Sequence, residues 1–360
     1  MARSVSALRR LGRIRAAVIG DKISSVDDHV RALGILPDYE LMGSVRSPAQ
    51  ANETGGSGEF GNPFEVPSEL ISRPDVDLIA IVGRSAEALH YVHNAIAAGK
   101  DVYCDWPIAT SSAAAAELSS LAHKSGIRHF VRLECRVSQA NFYVLDLLTQ
   151  GYLGEIRSVH LSATAIAPPE SAHFSKSPPT VPTTAAMHFL DGLFSVVGWP
   201  RRFSCLIAKW SASSPGNPGT HLLPAERLSI TGTLRNDAIF AAHFDRLSHA
   251  SEVRTDIIGD RGRLRVTYSA AGPSSGVLIE GANEPDQSLQ PLSVPRSYGW
   301  LSAKKAPSSA AGLAELYAAF AQDLHEGTDR VPTLDDGVKV HKLAELMVEA
   351  SNKGASVEFR

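Results

Sequence analysis

Between Ile14 and Leu133 short apolar runs recur five times, separated by helix-like stretches and short connections, and this alternation demands a right-handed parallel sheet. The expected strands are Ile14–Gly20, Tyr39–Val45, Asp75–Arg84, Asp101–Cys104 and Ile127–Leu133, and the expected helices Asp28–Leu36, Glu87–Ala98 and Ala113–Lys124. The third run, D-V-D-L-I-A-I-V-G-R, is apolar without alternation up to Gly83, as a strand covered on both faces must be. Asn52–Asn62, with its glycines, reads as a loop excursion.

Ligands of open parallel sheets bind outside the carboxyl ends of the strands, so the residues that end these runs are the candidates for chemistry. The first strand ends in Gly20, but a dinucleotide loop wants G-x-G-x-x-G and here Asp21, Lys22, Ile23, Ser24 and Ser25 follow. Lys22 is suited to neutralise a phosphate and Ser24 to cap a helix or donate a hydroxyl, whereas Asp21 would repel it. The second strand ends in Arg46 and Ser47. An arginine there suits the extra phosphate of NADP better than the ribose of NAD, the plainer alternative being a solvated side chain. The third ends in Gly83 and Arg84, and the helix after it carries His90. The fourth ends in Asp105, Trp106 and Pro107: a carboxylate, an indole and a rigid turn facing a cleft, or a cap and a core residue.

From Glu134 the pattern changes. A helix over Ser138–Thr149 is followed by long alternating runs at Ile156–Ala165, Arg202–Trp210, Glu226–Leu234, Asp237–Leu247, Val253–Ile258 and Arg263–Ser269, the signature of a mostly antiparallel sheet with one buried face. Between the first two lie Pro-rich Ala167–Pro182 and the segment T-T-A-A-M-H-F-L-D-G, in which His188 and Asp191 share one helix face. Helices at Ala310–Glu326 and Asp335–Lys353 close the chain. The expected organisation is a disordered leader over 1–13, an α/β Rossmann domain over 14–133, and an α+β domain with a large open sheet over 134–360, for substrate and oligomer contacts.

A net charge of -3 without a basic stripe argues against direct contact with nucleic acid. Three cysteines without C-x-x-C spacing argue against a disulfide framework or a zinc site and fit the reducing cytoplasm. No apolar run reaches the roughly 18 residues that a bilayer span needs. The arginine-rich first residues suit a disordered leader or an organelle transit peptide.

Taken in order, strand-ending Gly20, His90, A-A-G-K-D-V-Y-C-D-W-P, G-Y-L-G-E-I-R-S-V (Gly151 to Val159), M-H-F-L-D (Met187 to Asp191), I-G-D-R-G-R-L (Ile258 to Leu264) and P-T-L-D-D-G-V (Pro332 to Val338) resemble the glucose-fructose oxidoreductase and inositol dehydrogenase (Gfo/Idh/MocA) family. Within it, W-P in place of K-P, the Arg136 of L-E-C-R-V-S and H-x-x-D after a threonine look most like the branch containing the fungal galactose-pathway repressor. The resemblance implies NADP or NAD bound between a Rossmann domain and an open-sheet domain, a small-molecule substrate, and homodimers or homotetramers formed through the sheet. It also marks departures. The family's E-K-P lysine falls on Trp106 and its glutamate on Asp105; its D-x-G-x-H keeps His188 while the carboxylate becomes Thr184.

Oxidising an alcohol by hydride transfer needs a base for the hydroxyl proton, and the reverse needs an acid. His188 is the obvious relay that remains, imidazole being the side chain that ordinarily titrates near neutrality. Trp106 supplies an indole N–H and a flat face suited to stacking on nicotinamide or substrate. Arg136 is suited to an anionic group of the substrate or to a structural carboxylate. Thr184 and Asp191 complete the expected substrate side. Three readings stand open: an NAD(P)-dependent oxidoreductase acting on a small carbonyl, imine or sugar-like compound; a cofactor-binding sensor without catalysis; and a non-redox enzyme that reuses the cleft.

Overall fold

The computed structural model describes residues 12–20, 23–46, 66–83, 85–164, 184–210, 225–245, 252–268, 276–286, 288–299 and 310–360. Residues 1–11 of the expected leader, the loop expected at Asn52–Asn62 and the Pro-rich Ala167–Pro182 lie outside them. The chain divides into two compact units, one holding the described residues up to Val137 and those from Ala310 to His341, the other those from Ser138 to Gly299 and from Lys342 to Arg360.

The first unit is built on five parallel strands, β1 (Ile14–Gly20), β2 (Tyr39–Arg46), β3 (Leu78–Val82), β4 (Asp101–Cys104) and β5 (His129–Val131), in the order β2-β1-β3-β4-β5. Every residue of β3 and β4 is buried, which is why their sequence runs without polar alternation. Helices α1 (Ile23–Gly34), α2 (Pro67–Ser72), α3 (Ala86–Ala97) and α4 (Ser112–Ser125) connect them. Ser85 caps α3 by accepting from the Ala88 amide, and Ser111 caps α4 from Ala114. Helix α1 begins five residues earlier than its periodicity suggests, so Ser24 lies inside its first turn instead of capping it; Val26, Val30 and Leu33, all buried, set the face that packs on β1 and β2.

The chain returns to this unit near its end. Helix α7 (Ala311–Glu326, numbered after two helices of the second unit) packs along α1, with Phe320 stacked on Phe130 of β5 at 4.2 Å, and Tyr317 bonded to both α1 and β2. By its contacts this helix is thus grouped with the first unit, although it follows the boundary expected at residue 133. Local periodicity identifies α7 as a helix with a buried face, and only the partner of that face decides its unit.

The second unit holds α5 (Gln139–Thr149) and α6 (Thr184–Val197) against a nine-stranded sheet: β6 (Ile156–Thr164), β7 (Pro200–Trp210), β8 (Ala225–Leu234), β9 (Ile239–Asp245), β10 (Glu252–Gly259), β11 (Gly262–Tyr268), β12 (Val277–Asn283), β13 (Gln290–Leu292) and β14 (Val357–Glu358). The order is β13-β12-β11-β10-β6-β9-β8-β7-β14, antiparallel except where β6 runs beside β9. One face carries Phe203, Leu228, Ile230, Phe240, Phe244, Leu264, Val266 and Ile279, all buried, with Phe194 of α6 meeting Phe240 edge to face. Helix α8 (Leu334–Lys353) contributes its last turns here, Ser351 accepting from the Ile207 amide.

Two of the sequence motifs prove to be scaffolding. The turn at Asp260 and Arg261 docks on the turn before β6: Asp260 accepts from the Glu155 amide at 2.8 Å and the Arg261 amide donates to the Leu153 carbonyl at 3.0 Å. G-Y-L-G-E-I-R-S-V and I-G-D-R-G-R-L are thus two halves of one joint.

Candidate functional site

The order of the first sheet reverses direction between β1 and β3, and a crevice opens at such a switch point beside the carboxyl ends of the two strands. Gly20 at the end of β1 pairs in register with Arg46 on one side and with Val82 on the other, so three of the strand-ending positions singled out from sequence, Gly20, Arg46 and Gly83, converge there. A Cβ on Gly20 would lie 2.6 Å from a Val26 methyl and 3.1 Å from the Val82 carbonyl oxygen; the glycine lets α1, which starts at Ile23, close onto the sheet. The N-terminus of α1, whose first amides have no partner within the helix, thereby follows the end of β1 at the switch point, a setting that suits a phosphate. Gly83 has φ +126°, a backbone that L side chains rarely adopt. Lys22, Ser47 and Arg84 lie outside the described residues, and of Ser24, Arg46 and Thr184 the backbone alone is described.

Asp105 is directed elsewhere than a ligand would require. Its Oδ2 accepts the Gly83 amide at 3.0 Å and its Oδ1 the Tyr103 hydroxyl at 2.8 Å, with the Arg132 guanidinium 3.7 Å away. Trp106 is only 2 % exposed, its ring packed on that of His341 at 5.2 Å, and the bond to Pro107 is cis. An indole so enclosed forms a wall of the turn; the free stacking face expected of it is not offered. Pro107 is partly exposed beside it. His90 lies exposed on α3, bonded to Asn94 one turn on at 3.0 Å.

Arg136, for which sequence left two partners open, pairs with a structural carboxylate: its Nη1 stands 2.7 Å from Asp336, both side chains less than one-fifth exposed. Asp336 also accepts the Thr333 amide and hydroxyl, closing the first turn of α8, so P-T-L-D-D-G-V serves this anchor. Arg136→Ala is expected to lower stability by about 2 kcal/mol, since it strands a half-buried carboxylate, and to leave dinucleotide affinity unchanged. Urea denaturation beside a binding titration checks this; lost substrate affinity at full stability would return Arg136 to the substrate.

Sequence reading passed over Arg132 and Glu134, which follow β5 at the same carboxyl edge. The Arg132 amide donates to the Cys104 carbonyl, and its Nε donates to Glu134 at 2.7 Å. The rule that picked Asp105, a charged residue just beyond an apolar strand, would have found both. Beneath them lies His29 of α1, fully buried, its Nδ1 2.8 Å from the Tyr317 hydroxyl and its ring 4.8 Å from that of Tyr103. Burial holds its pKa down to about 4. In the second unit His188 is partly exposed on α6 and Asp191, one turn further, is completely buried. Among the described residues no group of three or more His, Cys, Asp or Glu is placed to hold a metal ion.

Residues 14–133 match the family model described as oxidoreductase family, NAD-binding Rossmann fold, and residues 146–359 match the one described as oxidoreductase family, C-terminal alpha/beta domain. The chain is similar to dehydrogenase aclE of Aspergillus oryzae, 29 % identical over 171 residues (44 % of this chain, 46 % of that protein), and to inositol 2-dehydrogenase of Acidothermus cellulolyticus, 29 % over 177 residues (49 % and 47 %). It spans about half the length of these two. Scyllo-inositol 2-dehydrogenase (NADP+) of Bacillus subtilis is 20 % identical over 363 aligned residues, 97 % of each chain. Among solved structures, a super-repressor mutant of Gal80p from Saccharomyces cerevisiae superposes with a TM-score of 0.76 at 18 % identity, over 96 % of this chain and 98 % of that one. Levoglucosan dehydrogenase in complex with NADH and levoglucosan gives 0.74 at 16 % identity, over 96 % and 99 %. These two are likenesses of fold. A glycine ending β1 at the switch point, with a helix starting just beyond it, is an arrangement that fits a dinucleotide. The chain belongs to the Gfo/Idh/MocA oxidoreductase family, and its first sheet is that family's NAD-binding Rossmann fold.

Proposed function

We propose that the protein is an NADP(H)-preferring oxidoreductase acting on a small carbonyl, imine or sugar-like substrate. The observation that carries this is the register at the switch point, which sets Gly20 between Arg46 and Val82 with α1 starting just beyond. When bound, the nicotinamide supplies or accepts a hydride. The α1 amides and Gly20 would hold the pyrophosphate, and Arg46, at the end of β2, would meet the 2′-phosphate of NADP. His188 would move the proton to or from the reacting oxygen or nitrogen, with Thr184 on its helix on the substrate side and the buried Asp191 supporting that helix from within. Lacking a lysine at Trp106, such a site suits a substrate that arrives already protonated, as an imine does, better than an unactivated alcohol.

Fluorescence titration of the purified protein with NADPH and NADH is the test. NADPH is expected to bind at least tenfold tighter, and Arg46→Ala to remove that margin by weakening NADPH about tenfold at unchanged NADH affinity. A protein that binds neither nucleotide is not an oxidoreductase of this kind. One that binds NADPH but turns over nothing in a broad screen of sugars, ketones and imines is a sensor.

The second sheet supports the homo-oligomer. Its outward face carries rows of small and polar residues in register: Ser204, Thr231, Ala241 and His160 in one, Leu206, Ser229, His243 and Ser162 in the next, with Leu206 and Ile239 strongly exposed. Asp256, in the first row beyond His160, is ringed by Arg254, Arg263 and Arg265. A second copy of the same face fits such a flat, self-complementary surface. None of the three buried cysteines is in a disulfide, in keeping with the cytoplasmic setting proposed for it. No helix among the described residues is long and apolar enough to cross a membrane.

A further inference from the structure

Asp105 ends β4 but works on the neighbouring strand. Cys104 pairs with Ile81, so Asp105 stands beside Val82 and its carboxylate reaches the next amide, that of Gly83, at 3.0 Å. A strand-end amide with no partner of its own would bond to water and leave its turn free to move. Here it donates to an anion, in the stronger, charge-assisted kind of hydrogen bond. The anion in turn is held by the Tyr103 hydroxyl at 2.8 Å and faces Arg132 at 3.7 Å, and it is only 13 % exposed. Tyr103 itself is completely buried. The chain Tyr103–Asp105–Gly83 is therefore a bracket across two strand ends, closed at a glycine with φ +126° and one residue from the partner of Gly20.

We propose that Asp105 is a positioning residue for the dinucleotide: through the Gly83 amide it fixes the exit of β3 without touching the cofactor itself. This rests on the reading of the carboxyl edge as a dinucleotide site. A dinucleotide with its adenosine ribose at β2 and its pyrophosphate at β1 would carry its nicotinamide half towards β3 and beyond, strands spaced about 4.8 Å apart. The bracket governs that half alone.

Wild type, Asp105→Asn and Tyr103→Phe of the full chain are titrated calorimetrically with NADPH and with adenosine 2′,5′-bisphosphate, which carries only the adenine side, and Tm is read in parallel. Asp105→Asn is expected to weaken NADPH about tenfold and Tyr103→Phe about threefold, with the bisphosphate unchanged within about twofold. The buried tyrosine separates positioning from contact, because it has no access to ligand. An NADPH affinity untouched by Tyr103→Phe but lost in Asp105→Asn makes Asp105 a direct contact and overturns the inference. Equal weakening of both ligands in step with a fall in Tm makes the bracket mere scaffold and also overturns it. Wild-type protein that binds neither ligand refutes the dinucleotide reading and the inference with it, whereas wild type that binds both refutes only the inference if the variants match it.

Discussion

Replacing His188 by alanine is expected to lower kcat by about 10²- to 10⁴-fold while the dissociation constant for NADPH stays within about twofold of wild type. The separation follows from where the residues sit. The candidate phosphate-binding groups all belong to the first unit, at Gly20 and the start of α1, and His188 belongs to α6 of the second. It is partly exposed among buried neighbours, with Met187 and Phe189 nine-tenths or more buried on either side, so truncation removes an imidazole without opening the core. His188→Gln is the companion variant: it keeps a hydrogen-bonding end but cannot carry a proton at neutral pH. If His188 only orients the substrate, glutamine restores turnover; if it relays a proton, glutamine is as inactive as alanine. Turnover with the best substrate of the screen, measured beside NADPH binding, decides. A kcat within threefold of wild type in both variants would remove His188 from the mechanism.

The strands of the first sheet were legible because burial on both faces leaves an unbroken apolar run, and β3 as Leu-Ile-Ala-Ile-Val has no other reading. Strands β12, β13 and β14 were not. They lie at or next to the sheet's edges, two of them three residues long or less, and their burial is too partial to imprint a pattern. Tyr317 illustrates a different limit. Its hydroxyl meets His29 and its carbonyl takes the Tyr39 hydroxyl, partners 288 and 278 residues away, and no local period encodes such distances. The position of Asp105 beyond a strand marked it as a functional candidate, but nothing local named the groups it meets, the Gly83 amide and the Tyr103 hydroxyl. What a carboxylate does depends on its donors, and the donors that claim it come from its own strand and from the next one. For Arg136 the deciding partner, Asp336, is 200 residues downstream in a motif that looked independent.

Acid should unfold this protein in a window set by two buried histidines. Burial, the largest cause in each case, lowers both His29 and His129 from the ordinary 6.5 to about 4; nearby carboxylates oppose it, Arg132 adds to it at His29 and His123 at His129. At His29 the hydrogen bonding points the same way. An imidazolium must donate from both nitrogens, yet among the described residues Nδ1 meets the Tyr317 hydroxyl while Nε2 is buried without a partner. His129 uses Nδ1 to accept the Leu334 amide, a bond that protonation at that nitrogen would abolish. The unfolded chain takes up these protons near pH 6.5 and the folded chain only near pH 4, so between those values the unfolded state binds more. Stability is then complete above about pH 6.5 and falls as the pH drops to about 4, by about 3 kcal/mol for each histidine. Two such losses approach the whole stability of an ordinary domain. The carboxylates held below their usual range by arginine or serine donors, Asp75, Asp335 and Asp256 among them, act in a lower window, below about pH 4. Urea denaturation at pH 7, 6, 5 and 4.5 should show the decline, and His29→Gln, whose amide can still meet Tyr317 but takes up no proton, should halve its slope. A free energy of unfolding that is flat from pH 7 to 4.5 would mean that these imidazoles reach water, and that the aromatic floor beneath the bracket is not closed.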